Sequence, residues 1–276
     1  MKSYLSLVPI SAKVRKRQNR MTILCVIISI FLVTAIFSVA DMMIRTQSDR
    51  MTGKNGSWHI ELDGISQETA LKIAERDDVV SIGAVTIFNP DGELPYRMDG
   101  KRVVLYGIDE SYLTMNSTGA AEGRFPQGMG EIMLSSNAAR VLQVAVGDTV
   151  TLRTPSGDWD FTVSGLGGVE ESYYSGQYSL MDAYLPRTAF AALMEQNNVH
   201  NLQTSYYVQF TSASKAAKAI PELTAQHNLP ENAVSENTGV MAIAGQSDSS
   251  AAKNVYSLAA VLFVLVLLAG VLMISG

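Results

Sequence analysis

The sequence predicts an α+β membrane protein: two transmembrane helices flanking an extracytoplasmic α/β domain with an inserted small β-rich subdomain. Three observations predict it. Uncharged apolar runs stand near both ends of the chain, at residues 21–40 (MTILCVIISIFLVTAIFSVA) and 255–276 (VYSLAAVLFVLVLLAGVLMISG). A helix of twenty residues reaches about 30 Å, the thickness of a bilayer's hydrocarbon core. Strand–helix–strand patterns follow the first run and precede the second, and the segment between these two units is patterned as short strands.

Charge sets the expected orientation. Lys2, Lys13, Arg15, Lys16, Arg17 and Arg20 precede the first run, and no acidic residue does. Basic residues on one flank place that flank in the cytoplasm. Residues 41–276 then carry fifteen basic against 26 acidic side chains, a net of −11 within a chain of net −5. This split fits a basic cytoplasmic lip that meets anionic lipid, and it argues against nucleic acid as a partner. The expected location is the cell membrane, multi-pass, with the N-terminus cytoplasmic and residues 45–250 extracytoplasmic. A secretory signal peptide is the rival reading of the first run, since Ser38-Val39-Ala40 has a small-x-small form. The run is longer than the ~7–15 apolar residues of a signal peptide's apolar region. Cys25 is the only cysteine, so no intrachain disulfide forms. That composition is common in bacterial extracytoplasmic domains, and Cys25 reads as a small apolar packing residue.

Six segments follow. Residues 1–20 form a basic leader, either an amphipathic helix on the membrane surface or a flexible orientation signal. Residues 21–44 are the first span, and 45–117 the first half of the α/β subdomain. Residues 118–203 are the β-rich insertion, 204–250 the second half, and 251–276 the second span, where the chain is expected to be truncated.

Each element has a local cause. The first helix continues as a short stalk over 41–50 and ends at Gly53 and Gly56. SWHIEL (57–62) alternates as a strand. Ser66 is a candidate N-cap for a helix over 66–78, with Ala70, Leu71, Ile73 and Ala74 on its apolar face. Residues 79–88 (VVSIGAVTIF) and 101–108 (KRVVLYGI) are strands, and Asn89-Pro90-Asp91-Gly92 is a turn. In the insertion, 131–134, 148–153, 160–164 and 179–185 are strands. A short helix lies in 135–144, a hairpin turn in 154–158, and Pro186 opens a helix running to Met194. The second unit is a strand over 205–211, a helix over 212–227 that Pro221 kinks or divides, and a strand over 232–236. Residues 238–250 read as a polar, flexible run. The two units are expected to pack side by side in one layer.

Between Gly123 and Gly165 an ordered set of positions stands out: Gly123, Arg124 and Pro126; Glu131, Ile132, Leu134 and Ser135; Ala138, Ala139 and Leu142; Gly147-Asp148 with Val150 and Leu152; then Phe161, Val163 and Gly165. Their physical roles are those of a scaffold. Gly123 and Gly147 permit positive φ, Asp148 caps a turn, Ala138 and Ala139 let a helix approach a sheet, and Arg124 pairs with Glu131. With these residues in this order, the chain resembles the FtsX/MacB-type (mechanotransmitting, type VII) ABC transporter permeases, in their N-terminal half. The resemblance implies a mixed α/β extracytoplasmic domain, a homodimer or heterodimer of permeases, and a separate or fused ABC ATPase. It also implies a cargo of peptide, lipoprotein or lipid. The chain departs from the family in stopping near the second of four spans.

Chemistry-bearing patterns are few. No phosphate-binding G-x-x-x-x-G-K-[ST] occurs, and Gly165-Leu166-Gly167-Gly168 reads as turn glycines. His59, His200 and His227 lack metal-ligand spacing. No G-x-S-x-G elbow is present. The chain is therefore expected not to be an enzyme, with no catalytic, cofactor-binding or metal-binding residue. Glu170-Glu171 with Tyr173 and Tyr174 form an acidic, aromatic loop suited to partner contact. The alternative function is a two-span membrane sensor with an extracytoplasmic ligand-sensing domain; an anchored outer-surface hydrolase lacks any catalytic set.

Overall fold

A computed structural model describes residues 16–116, 120–167, 180–230 and 232–247, with positions 257, 260, 261 and 264 of the last segment. The chain divides into two compact units, residues 50–243 and residues 1–49 with 244–276.

Helix α1, Lys16–Asn55, opens the chain and contains the uncharged run 21–40. Its described apolar side chains are largely exposed, with Phe31 at 70% and Ile23 at 60%. Over the described residues no helix is long and apolar enough to cross a membrane. The second predicted span falls almost wholly outside the described residues; Ser257, Ala260, Val261 and Val264 are helical. Helix α1 runs through Gly53 and stops at Asn55, where Gly56 turns the backbone with φ +81°.

In the unit 50–243, strand β1 (Ile60–Leu62) leads to α2 (Gln67–Ala74) and β2 (Val79–Phe88). Ser66 caps α2 by accepting from the Thr69 N–H at 3.1 Å. The Asn89 turn closes with Gly92 N–H on Asn89 O. Then come β3 (Arg97–Met98), β4 (Lys101–Ile108), α3 (Glu110–Met115), β5 (Ala120–Gly123), β6 (Glu131–Leu134) and α4 (Ser136–Leu142). Strands β7 (Thr149–Thr154), β8 (Gly157–Gly167) and β9 (Leu180–Pro186) precede α5 (Arg187–Gln196). Strand β10 (Thr204–Phe210), α6 (Ala213–His227), β11 (Val234–Glu236) and α7 (Thr238–Ser247) complete the order.

The two strand–helix–strand units interlock rather than lie apart. Their strands run β11-β1-β10-β2, each antiparallel to its neighbour. Counted by unit, that is the 4-1-3-2 order of a split βαβ, or ferredoxin-like, sandwich. Every second residue faces α2 and α6. Ile60, Leu62, Ala84, Tyr206, Val208 and Phe210 form one core with Ala70, Ile73, Ala216, Ala219 and Leu223.

The segment between the units closes on itself. Strand β2 pairs with β4, and from β4 the pairing runs through β3, β7, β8, β6 and β9 and back to β4. This is a six-stranded barrel sharing β4 with the sandwich. Its interior repeats every second residue: Val103 and Leu105, Ile132 and Leu134, Val150 and Leu152, Phe161 and Val163, Met181 and Ala183. Ala138 of α4 and Phe190, Leu193 and Met194 of α5 join the same core.

Four local expectations are corrected. The run 238–250 is not flexible over its described part: α7 begins at Thr238, because Asn237 supplies its first turn with acceptors. Gly165 and Gly167 are strand residues of β8, held by pairing with β5 and β6. Pro221 does not divide α6; Ala217, whose carbonyl it leaves without a helical donor, is exposed to water, as is Pro221 itself. The hairpin turn shrinks to Pro155-Ser156, and β7 and β8 pair up to Thr154 and Gly157.

Candidate functional site

The positions of the 123–165 set converge on one wall of the barrel. Gly123 ends β5 with φ +74°, where an added Cβ would meet the Ser164 carbonyl oxygen at 2.4 Å. The Arg124 guanidinium grips Glu131 through two hydrogen bonds of 2.9 and 2.6 Å. Glu131 also accepts the backbone N–H groups of Gln127 and Gly128, so the loop around buried Pro126 is wound about one carboxylate. Arg124, followed by those N–H donors, holds the Glu131 carboxyl down at about 2. Leu134 and Ala138 are fully buried, and Leu142 packs against the barrel core. Gly147 turns with φ +97°. Asp148 accepts the Ala145 N–H at 2.8 Å and its backbone pairs with Val163. Tyr173 and Tyr174 lie outside the described residues.

A second constellation, which the sequence reading does not anticipate, sits where the chain enters and leaves the unit 50–243. The Asn237 amide donates to Asn55 O at 3.0 Å and to Trp58 O at 2.9 Å. Its own oxygen accepts Val240 N–H, and its backbone bridges His59 O and Met241 N–H. Asn237 is 4% exposed. The first residues after α1 are tied to α3 as well: Ser57 N–H and its hydroxyl both donate to Met115 O. Helix α3 is in turn fixed to β2 by Asp109, which accepts Tyr112 N–H and Ala84 N–H. Burial pushes the Asp109 carboxyl upward, and those two N–H groups oppose it. Asp109 followed by Glu110 after a strand is an N-cap signature that marks α3 in the sequence. Asn237 is an N-cap residue by type as well, but nothing in the sequence marks its bonds to Asn55 and Trp58.

The sheet face opposite α2 and α6 is acidic and aromatic. Tyr207 donates to Glu61 at 2.7 Å, Ser205 donates to Asp63, and the Trp58 and Tyr112 rings meet Tyr207 edge-on at 4.9 and 5.0 Å. Burial, opposed by the Tyr207 hydroxyl and aided by the Asp63 charge, pushes the Glu61 carboxyl upward. His59 is buried, and its Nδ1 accepts Phe210 N–H at 3.1 Å, so burial lowers its pKa. Among the described residues no three His, Cys, Asp or Glu side chains come together to hold a metal ion.

These features define a class: an α/β domain in which a split βαβ sandwich carries a barrel between its second and third strands. The family follows from comparison. A model of the MacB-like periplasmic core domain matches residues 21–226, and the chain belongs to that family. Its domain is thus an FtsX/MacB-like extracytoplasmic domain, of the kind found in ABC transporter permeases. The chain is similar to the periplasmic region of MacB from Actinobacillus actinomycetemcomitans, at 15% identity and TM-score 0.49, covering 72% of this chain and 96% of that one. It is also similar to a domain of a putative permease protein from Porphyromonas gingivalis, at 16% identity and TM-score 0.42, covering 66% and 87%. No curated protein sequence gives a significant match.

Proposed function

We propose that this chain is the permease subunit of an ABC transporter. In this reading a partner ATPase hydrolyses ATP in the cytoplasm, and the movement reaches the extracytoplasmic domain, which exports or extracts a peptide, lipoprotein or lipid. The family match over residues 21–226 carries the reading, because it takes in α1 as well as the domain. The physical support is the uncharged run inside a 40-residue helix, preceded by six basic residues and followed by a net charge of −11. Two copies of the permease, with a separate or fused ATPase, complete the proposed assembly, and the basic leader rests on anionic lipid.

Topology is tested by labelling. In a Cys25→Ser background, a cysteine introduced at exposed Lys101 should react with a membrane-impermeant maleimide in intact cells, and one at Lys2 should react only after lysis. The converse pattern overturns the orientation. Coupling is tested by affinity purification from the native membrane. Recovery of a P-loop ATPase, whose turnover falls when Asn237 is replaced by Ala, supports the reading. Recovery of a histidine kinase or of a signalling adaptor overturns it.

A further inference from the structure

A cavity of about 410 Å³ opens between one face of α5 and the loop 199–204 that leads into β10. It lies where the barrel joins the sandwich, with Thr86 of β2 and Thr204 of β10 on its wall, their hydroxyls 2.7 Å apart. Its volume falls within the ~300–1,000 Å³ of small-molecule sites.

Arg187, Ala191 and Glu195 stand at i, i+4 and i+8 on α5, so they share one helix face. Eight residues at 1.5 Å per residue set Arg187 and Glu195 about 12 Å apart along the axis. Between the two charges the wall is mixed: Ala191, Val199 and Leu202 and the edges of buried Phe190 and Met194 give it apolar surface, and Thr86, His200, Asn201 and Thr204 give it polar groups. Among the described residues neither Arg187 nor Glu195 has an ion-pair partner. Arg187 acts on Asp109 only at longer range, and that carboxylate is already taken by two backbone N–H groups. A cation and an anion thus stand on one helix face along the trough without pairing with each other.

We propose that this cavity binds a short zwitterionic peptide, its free carboxylate on Arg187, its free amino group on Glu195 and an apolar side chain against Ala191, Val199 and Leu202. An extended chain advances about 3.3–3.6 Å per residue, so three or four residues span the two charges. Arg187 takes a carboxylate with paired donors, as a guanidinium does best. The exposed Asn201 amide and the half-buried Thr204 hydroxyl, which is bonded to Thr86, line the same cavity and can meet the peptide's backbone. The site belongs to the domain itself and stands whether or not the chain couples to an ATPase.

The test is titration of the full chain in detergent with the tripeptide Ala-Leu-Ala, read by saturation-transfer NMR and calorimetry. Saturable binding is expected, and it should weaken about tenfold when either terminus is blocked by acetylation or amidation. Arg187→Gln should weaken the free peptide about tenfold and leave the amidated peptide unchanged. Glu195→Gln should weaken the free peptide and leave the acetylated one unchanged. Ala191→Trp fills the trough at an exposed position and should abolish binding of all three. Unchanged thermal melting of Glu195→Gln and Ala191→Trp keeps the result readable if Arg187→Gln fails to fold. Absence of saturable binding, equal binding of blocked and free peptides, or full binding by the Ala191→Trp variant overturns the proposal.

Discussion

The side-chain amide of Asn237 donates to the backbone carbonyl of Asn55 across 182 positions of sequence. One buried side chain thereby joins the last residue of α1 to the residue before α7, and it spends every donor and acceptor it has.

Replacing Asn237 by Ala withdraws a donor from the carbonyls of Asn55 and Trp58 and removes the cap of α7. A loss of about 1–3 kcal/mol is expected from buried polar groups left without that partner. Urea unfolding of the detergent-solubilised chain measures it. Asn237→Asp keeps the shape and the cap but not the donors, and should lose nearly as much; wild-type stability in that variant would show that the amide contributes nothing.

Gly83 is required by the closeness of α3 to β2. A Cβ there would lie 2.4 Å from Tyr112 N and 2.5 Å from Tyr112 Cα, both backbone atoms of α3. Gly83→Ala therefore forces α3 off the sheet, at a cost of about 1–3 kcal/mol. A fall in melting temperature, with faster amide exchange at Tyr112 and Met115, is the expected readout.

Glu131 predicts an acid limb of stability. Its carboxyl is held at about 2 when folded, well below the ordinary 4.5. Its contribution is complete above about 4.5 and is lost as pH falls from there toward 2. Glu131→Gln should flatten the stability profile across that window, and Arg124→Gln should narrow the window from its acid end. Denaturant midpoints at pH 3, 4 and 6 decide the point.

His59 acts at higher pH. Burial lowers its pKa below 6.5, so above 6.5 it is neutral in both folded and unfolded chains. Below 6.5 the unfolded chain takes up a proton that the folded one resists, and stability falls as pH falls. His59→Asn places an amide oxygen near the Nδ1 position to accept Phe210 N–H but does not titrate. It should remove the slope between pH 6.5 and 5 while keeping most of the stability at pH 7.5.

Much of this fold was legible because its causes are local. The bounds of β2 and β4 follow from their apolar runs and, at the end of β2, from the Asn89-Pro90-Asp91-Gly92 turn. Ser66 caps α2 as its position before an apolar face implies. Arg124 and Glu131, read as a surface pair, meet in two hydrogen bonds across seven residues. The barrel was not legible. Its closure rests on β4 and β9, which pair in parallel from Arg102↔Leu180 onward, and neither strand carries a mark naming the other. The peptide-sized trough escaped notice for a similar reason. Arg187 and Glu195 are ordinary helix charges until the loop 199–204 is laid opposite them.

By itself the sequence determined what acts within a few residues: alternation of apolar side chains, helix caps, turns, and the steep charge step across residues 20–41. The tertiary structure decided which strand lies beside which, that β4 serves both the sandwich and the barrel, and that Asn237 fastens the two ends of the domain. The physical reason is that strand pairing uses backbone N–H and C=O groups common to every residue, so a strand does not specify its neighbour. The neighbour is selected only when whole apolar faces are buried together and register is fixed along their length.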